Sequence, residues 1–261
     1  MLKFETQIFP KSRIATIDIS KIGKKKHHVA ALLEIDVSAS RVKFKKYKRD
    51  NNKVSFSAWL VKVISHTINK NKCVAAYLVS KRKIITFNDV NVSYLIEKDI
   101  NGQKVPIPLV IEKASEKSVE DITYQISASK NELLTENDIV LQRKSTQIER
   151  LYYLLPGFIR LLFWKLLLRR PNSAFKNMGN VAITSLGMMG KINGWFIPIS
   201  IHPICFGIGS IIKKPVVIDD KIEIGEILNM TVLLDHDVID GATMARFIKE
   251  LSKNIENGIF L

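Results

Sequence analysis

The sequence predicts an α/β fold: a two-layer sandwich in which a mixed β-sheet carries helices packed on it. Helix-like and strand-like patterns alternate irregularly along the chain, which favours such a mixed sheet. The last third is strand-rich. The chain then closes on an amphipathic helix in which Met244, Phe247, Ile248, Leu251 and Ile255 share one face and Gly258 is placed to stop it.

The elements follow in order. Ile14 to Ile19 and Val29 to Val37 are rich in β-branched and apolar residues and are expected as strands. In Phe56 to Asn69, Trp59, Leu60, Val63, Ile64 and Ile68 recur near helical spacing, which predicts a helix with one buried face. His66 on that helix is expected to be structural. Lys83 to Ile85 and Val90 to Ile96 read as strands, and Pro106 to Ile111 as a further strand whose prolines suit an edge. Ser118 to Asn137 is expected as a helix that starts at Ser118 or Val119, with Glu120 and Asp121 in its first turn. Pro156 can open a helix to about Leu168. At 1.5 Å per residue that helix reaches about 18 Å, too short to cross a bilayer. Its basic flanks, with Phe158, Phe163 and Trp164, suit either a helix lying on a surface or partner, or a core or subunit-interface helix. Val181 to Ser185, Cys205 to Ile212, Val216 to Ile218 and Met230 to Leu234 complete the strands.

Composition excludes several classes. Hydrophobic residues are 46 % and charged residues 25 % of 261, enough to bury a core, so disorder is not the main state. One domain over residues 1–261 is expected, with 131–178 an atypical helical insert. Cys73 and Cys205 alone make neither a disulfide framework nor a zinc site, so no metal is expected and the compartment is read as reducing and cytoplasmic. The N-terminus lacks a signal-peptide core. Leu151 to Leu168 is the most apolar run, but Arg160 and Lys165 inside a span would cost roughly 2.5–3.5 kcal/mol each.

The charge is uneven. Residues 1–83 hold 20 Lys+Arg and 5 Asp+Glu, which accounts for the whole net charge of +15. It peaks between Arg41 and Lys53, where seven of thirteen residues are basic. Such a field attracts polyanions: nucleic acid, an acidic membrane, a phosphorylated cofactor or an acidic carrier protein. Phe44 and Tyr47 interleave with the lysines, as for base stacking, but a solvated lysine face with inward aromatics is the commoner arrangement, and nucleic acid is not the expected partner.

Two constellations carry chemistry. Asp235-His236-Asp237-Val238-Ile239-Asp240-Gly241 lies between a strand and the last helix. A histidine just past a strand end can enter a cleft and act as general base on a thiol, hydroxyl or amine, because its unperturbed pKa is near 6.5. Asp240 falls at the turn into the helix and Gly241 permits a bend there. The same residues also suit a structural histidine and an ordinary N-cap. Upstream, Val181-Ala-Ile-Thr-Ser-Leu-Gly-Met-Met-Gly190 is a strand ending in two hydroxyl residues, Thr184 and Ser185, before a glycine turn. A hydroxyl held rigidly at a strand end can donate to a developing oxyanion.

The Asp-His-x-x-x-Asp-Gly segment, the T-S-L-G-x-x-G strand and turn, and His28 to Val37 with its His and Asp eight apart resemble the catalytic domain of dihydrolipoyl acyltransferases. Those are the acyl-transferring cores of 2-oxo acid dehydrogenase complexes and share the chloramphenicol acetyltransferase-like fold. The resemblance runs in order over most of residues 10–258 and is weak from about 131 to 178. It implies His236 as general base, Thr184 as oxyanion donor with Ser185 as the neighbouring alternative, Asp240 as a structural aspartate paired with Arg13, and Gly241 beside the substrate. It also implies a homotrimer in which the histidine of one subunit faces the hydroxyl of the next.

Asp237 stands where members of the dehydrogenase complexes usually have arginine. The fold begins by about residue 10, so a stand-alone member without a lipoyl domain is expected. No bound cofactor is expected; the donor is read as a coenzyme A thioester or an acyl carrier protein. Residues 151–170 are a candidate for membrane-surface contact. A partner-binding trimeric scaffold without activity is the alternative.

Overall fold

The computed structural model of the protein describes residues 3–6, 12–50, 53–100, 103–132, 147–187 and 190–261. Its helices are α1 (Ser12–Gly23), α2 (Ser38–Asp50), α3 (Phe56–Lys70), α4 (Val119–Asn131), α5 (Gln147–Leu154), α6 (Gly157–Leu168), α7 (Pro171–Met178) and α8 (Gly241–Glu256). Its strands are β1 (His28–Asp36), β2 (Tyr77–Ser80), β3 (Lys83–Ile85), β4 (Val92–Ile100), β5 (Gln103–Ile111), β6 (Val181–Ser185), β7 (Ile204–Ile218) and β8 (Lys221–Asp235). The main sheet has the order β1-β8-β7-β6-β4-β5; β6 runs parallel to both neighbours and every other pairing is antiparallel. This is the expected mixed sheet. β2 and β3 form a separate hairpin.

One face of the sheet is covered by helices. Trp59, Val63, Ile64 and Ile68 of α3 and Phe247, Leu251 and Ile255 of α8 are buried with Val92, Ile183, Phe206, Met230, Val232 and Leu234 of the strands. Ser55 caps α3 by accepting from the Ala58 N–H, and Ser118 with Asp121 forms a capping box on α4, as the serine-then-acid pattern predicts. Residues 133–137 of the helix expected there lie outside the described residues. Strand β5 is an edge, and Pro106 and Pro108, two apart, direct their missing donors to the same side.

Two expectations are corrected. Ile14 to Ile19 is helical, not a strand: the alternation in Ile-Ala-Thr-Ile-Asp-Ile mimics a strand, but Ala15, Ile19 and Ile22 line one helical face of a second small core, beside the buried Asp18. The two short strands expected near 205–212 and 216–218 are one long β7, and β8 starts nine residues before Met230. Asp219 and Asp220, both at positive φ, make the two-residue turn between them, the backbone a tight right-twisted hairpin needs. Of the two arrangements open for α6, Trp164 takes the core one: it is buried, and its indole N–H donates to the Tyr152 hydroxyl.

In α2, Phe44 packs edge-on against Phe56 at 5.4 Å, so the aromatic ring among the lysines turns inward. Among the described residues no helix is long and apolar enough to cross a membrane.

Candidate active site

Strand β8 ends at Asp235, whose backbone N–H donates to the Pro203 carbonyl and whose carbonyl accepts from Val238 N–H at 3.0 Å. The chain turns at once, and buried Ile239 anchors the turn before α8 begins. The turn lifts His236 into solvent. Its backbone N–H donates to the His27 carbonyl at 3.0 Å. On either side the acids are held: Lys26 Nζ lies 2.6 Å from Asp235 Oδ2, and His27 Nδ1 lies 2.9 Å from Asp237 Oδ1. The segment leading into β1 thus grips the loop at three successive residues while leaving the imidazole of His236 exposed.

Asp240 caps α8, with Oδ1 accepting from Thr243 N–H at 2.8 Å. That bond, then the nearby Arg246 and His236, holds its carboxyl below the usual range. Gly241 is the first residue of α8 in ordinary backbone, and a Cβ there would meet open space. The bend therefore does not require a glycine; what the residue leaves beside His236 is room. Arg13 is exposed on α1.

Thr184 and Ser185 end β6 and are half-buried. Val181 and Ile183 face the helices, so by strand alternation Thr184 is on the opposite face, where Phe196 lies against its neighbour Gly207, and Ser185 is on the helix side. Thr184 pairs with Gly207, and Gly207 with Thr231, five residues before His236. Five residues along a strand and two strand spacings put Thr184 and His236 roughly 20 Å apart within one protomer. Beside Thr184 the backbones are unusually close: a Cβ on Gly187 would lie 2.7 Å from the Gly209 carbonyl oxygen. Residues 188 and 189 of this turn lie outside the described residues.

Lys26 and His27 belong to the site's frame and escaped the sequence reading, while Asp235 stood in the motif with no role assigned. The available signal was the His-His pair directly after three lysines, since polar side chains at a strand start must find partners. Behind them, His28 Nε2 donates to the His202 carbonyl, and buried His202 is fixed by Ser200 and the Met178 carbonyl. His66 meets Phe260 edge-on at 4.9 Å, a packing contact away from this loop.

The model of the family "2-oxoacid dehydrogenases acyltransferase (catalytic domain)" matches residues 18–138 and 172–261, and the chain belongs to that family. The chain is 29 % identical over 214 residues to the dihydrolipoyllysine-residue acetyltransferase component of the pyruvate dehydrogenase complex of Mycoplasma pneumoniae. The match covers 81 % of the chain but 44 % of that protein's length. In fold, the chain is similar to a probable dihydrolipoamide acetyltransferase from Listeria monocytogenes, with a TM-score of 0.68 and 20 % identity over 98 % of this chain and 95 % of that one. Chloramphenicol acetyltransferase aligns over 97 % of this chain and 98 % of its own, with a TM-score of 0.50 and 6 % identity, so the expected fold class holds.

Proposed function

We propose that the chain transfers an acyl group between a thioester and an acceptor thiol, the reaction type for which its curated relative is named. His236 acts as general base and Thr184 of a neighbouring copy as oxyanion donor, within a homotrimer. The observation that carries this reading is the separation of His236 from Thr184 in one protomer. A carbonyl carbon must lie within about 3–3.5 Å of its nucleophile and a hydrogen bond from its donor, so one copy cannot supply both groups to one substrate. The β7–β8 hairpin supports association: beyond the sheet it carries Ile222 and Ile224, 80 % and 77 % exposed, an apolar arm suited to another copy.

The proton path is short. His236 takes the proton from the acceptor S–H, and the sulfur attacks the thioester carbonyl carbon. The carbonyl π pair moves to oxygen, which accepts from the Thr184 hydroxyl. Collapse restores the carbonyl and breaks the bond to the leaving thiolate, which takes the proton back from the imidazolium. A hydroxyl or amine acceptor follows the same path. Coenzyme A or an acyl carrier protein suits the donor side, because the exposed Lys24 and Lys25 closely precede the His27 that holds the His236 loop. The two free thiols, Cys73 and Cys205, suit a reducing cytoplasmic setting.

Thiol release from acyl-coenzyme A, with dihydrolipoamide as acceptor, tests the reading. His236→Ala should lower the rate by about 10²–10⁴-fold, the usual worth of a positioned base. Mixing His236→Ala with Thr184→Ala subunits should restore part of the activity, since mixed trimers contain intact seams, and wild type should sediment as a trimer. Equal rates for wild type and His236→Ala would favour the scaffold alternative. A monomer in sedimentation, with no restoration on mixing, would remove the shared site.

A further inference from the structure

Residues 139–171 are skipped by the family match, yet they hold the whole of α5 and α6, with exposed apolar side chains from Leu151 to Leu166. The way α6 is seated is unusual. An amphipathic helix normally turns its apolar stripe inward. Here the inward side holds Trp164, Leu167 and Leu168 together with the cation of Arg160: Arg160 Nε lies 2.7 Å from buried Asp18 of α1, the Tyr152 hydroxyl donates to the same carboxylate, and Trp164 donates to Tyr152. That network prevents the helix from rolling its apolar face into the fold. Phe158, 73 % exposed, and Leu162, Phe163 and Leu166 therefore face outward.

Between α1 and α6 runs a groove of ≈ 310 Å³, with Ile22, Phe158, Leu161 and Leu162 as its apolar walls. Its remaining lining residues are Lys21, Lys25 and Lys165. Among the described residues none of these three lysines has a carboxylate partner. No acidic residue occurs from Gly157 to Arg170, and Arg169 and Arg170 add two exposed cations at the end of α6.

We infer that the α1–α6 face docks on an anionic phospholipid bilayer surface, with Phe158, Leu162 and Leu166 entering the interface and Lys21, Lys25 and Lys165 meeting the headgroups. Charge decides the occupant. A second copy laid on the same face would bring its own five cations against these five without an intervening acid. An anionic surface neutralises them, and α6 is too short to do more than lie in the interface. Lys25 lies two residues before His27, so the docked face adjoins the loop that carries His236. The inference does not depend on the acyl-transfer reading.

Flotation of the full chain with vesicles tests it. Wild type should float with phosphatidylcholine vesicles that contain phosphatidylserine, far less with phosphatidylcholine alone, and less as salt is raised. Phe158→Ser with Leu162→Ser, and separately Lys21→Glu with Lys25→Glu and Lys165→Glu, should each cut the floated fraction at least tenfold. The altered side chains are exposed or on the groove rim, so thermal unfolding should stay at the wild-type midpoint and certify the fold. Three results would overturn the inference. One is no flotation of wild type. Another is flotation that survives both variants but is lost when Lys43, Lys45 and Lys46 of α2 are changed to Glu. The third is a lipid-free trimer that dissociates in the Phe158→Ser, Leu162→Ser protein, which would give the face to another copy.

Discussion

His27 Nδ1 lies 2.9 Å and 3.0 Å from the two carboxylate oxygens of Asp237, 210 positions away in the chain. With the Lys26–Asp235 ion pair and the backbone bond from His236 N–H to the His27 carbonyl, it forms a three-point grip on the loop that presents His236. Asp237 is the residue that departs from the usual arginine of the dehydrogenase-complex members. The structure gives that departure a local partner: an acid here pairs with a histidine at the entry to β1. The grip acts on the neighbours of His236 and on its backbone, which fixes where the imidazole stands without occupying its ring.

The pair makes a prediction about charge. The hydrogen bond that His27 donates to Asp237, then the carboxylate's negative charge, favours the imidazolium of His27 and raises its pKa above the usual 6.5. The charged tie is therefore complete in mild acid, below the usual 6.5, and is lost as pH rises through the raised value. An NMR titration should place His27 above an ordinary exposed histidine, and Asp237→Asn should bring it back down. A wild-type His27 that titrates at or below 6.5 would contradict the pairing.

Two glycines near the site should behave in opposite ways. At Gly187 a Cβ would lie 2.7 Å from the Gly209 carbonyl oxygen, a backbone atom that cannot move aside. Gly187→Ala must push β6 from β7 beside Thr184, at a cost of about 1–3 kcal/mol, as for overpacking elsewhere. Both the urea midpoint and acyl-transfer activity should fall. At Gly241 the added Cβ meets nothing, and alanine is the better helix former at the start of α8. Gly241→Ala should therefore keep or slightly raise stability. If its KM rises while stability holds, the open space beside His236 is used by substrate; an unchanged KM assigns Gly241 no contact.

Much of this arrangement was legible in the sequence because periodicity reports burial. The helical spacing of Trp59, Val63, Ile64 and Ile68, the Ser118–Asp121 cap and the proline-opened α6 all follow from local rules. Thr184 and His236 could be named because a strand end and a turn place side chains predictably. What failed was decided by distant partners. Ile14 to Ile19 alternates like a strand, but Asp18 is needed as a helical ligand for Arg160, 142 positions on. The inward turn of Trp164, which the sequence left open between surface and core, rests on that same network. The Lys26–Asp235 tie joins residues 209 apart, and no local pattern can show it.

His202 gives the protein a built-in sensitivity to acid. It is buried at the entry to β7; its Nε2 reaches the Met178 carbonyl at 2.9 Å, and its Nδ1 reaches the Ser200 hydroxyl, which itself accepts from the His202 backbone N–H. These partners assign a neutral ring with the proton on Nε2. Burial, helped by the charges of Lys26 and His28, pushes its pKa down to about 4. The unfolded chain binds this proton near pH 6.5 and the folded chain only near 4, so stability falls as pH drops between those values, by about 3 kcal/mol at most. Burial lowers His28 and His66 in the same sense, which adds to the slope. Urea unfolding followed across this range should show the midpoint falling with acid. His202→Gln, which retains a donor for the Met178 carbonyl but cannot titrate, should lose stability at neutral pH yet show a flatter dependence. A wild-type midpoint that stays constant from about pH 6.5 to about 4 would mean that His202 charges inside the fold. Its hydrogen bonds to Met178 and Ser200 would then have to rearrange beside the strand that carries Gly207 and faces Thr184.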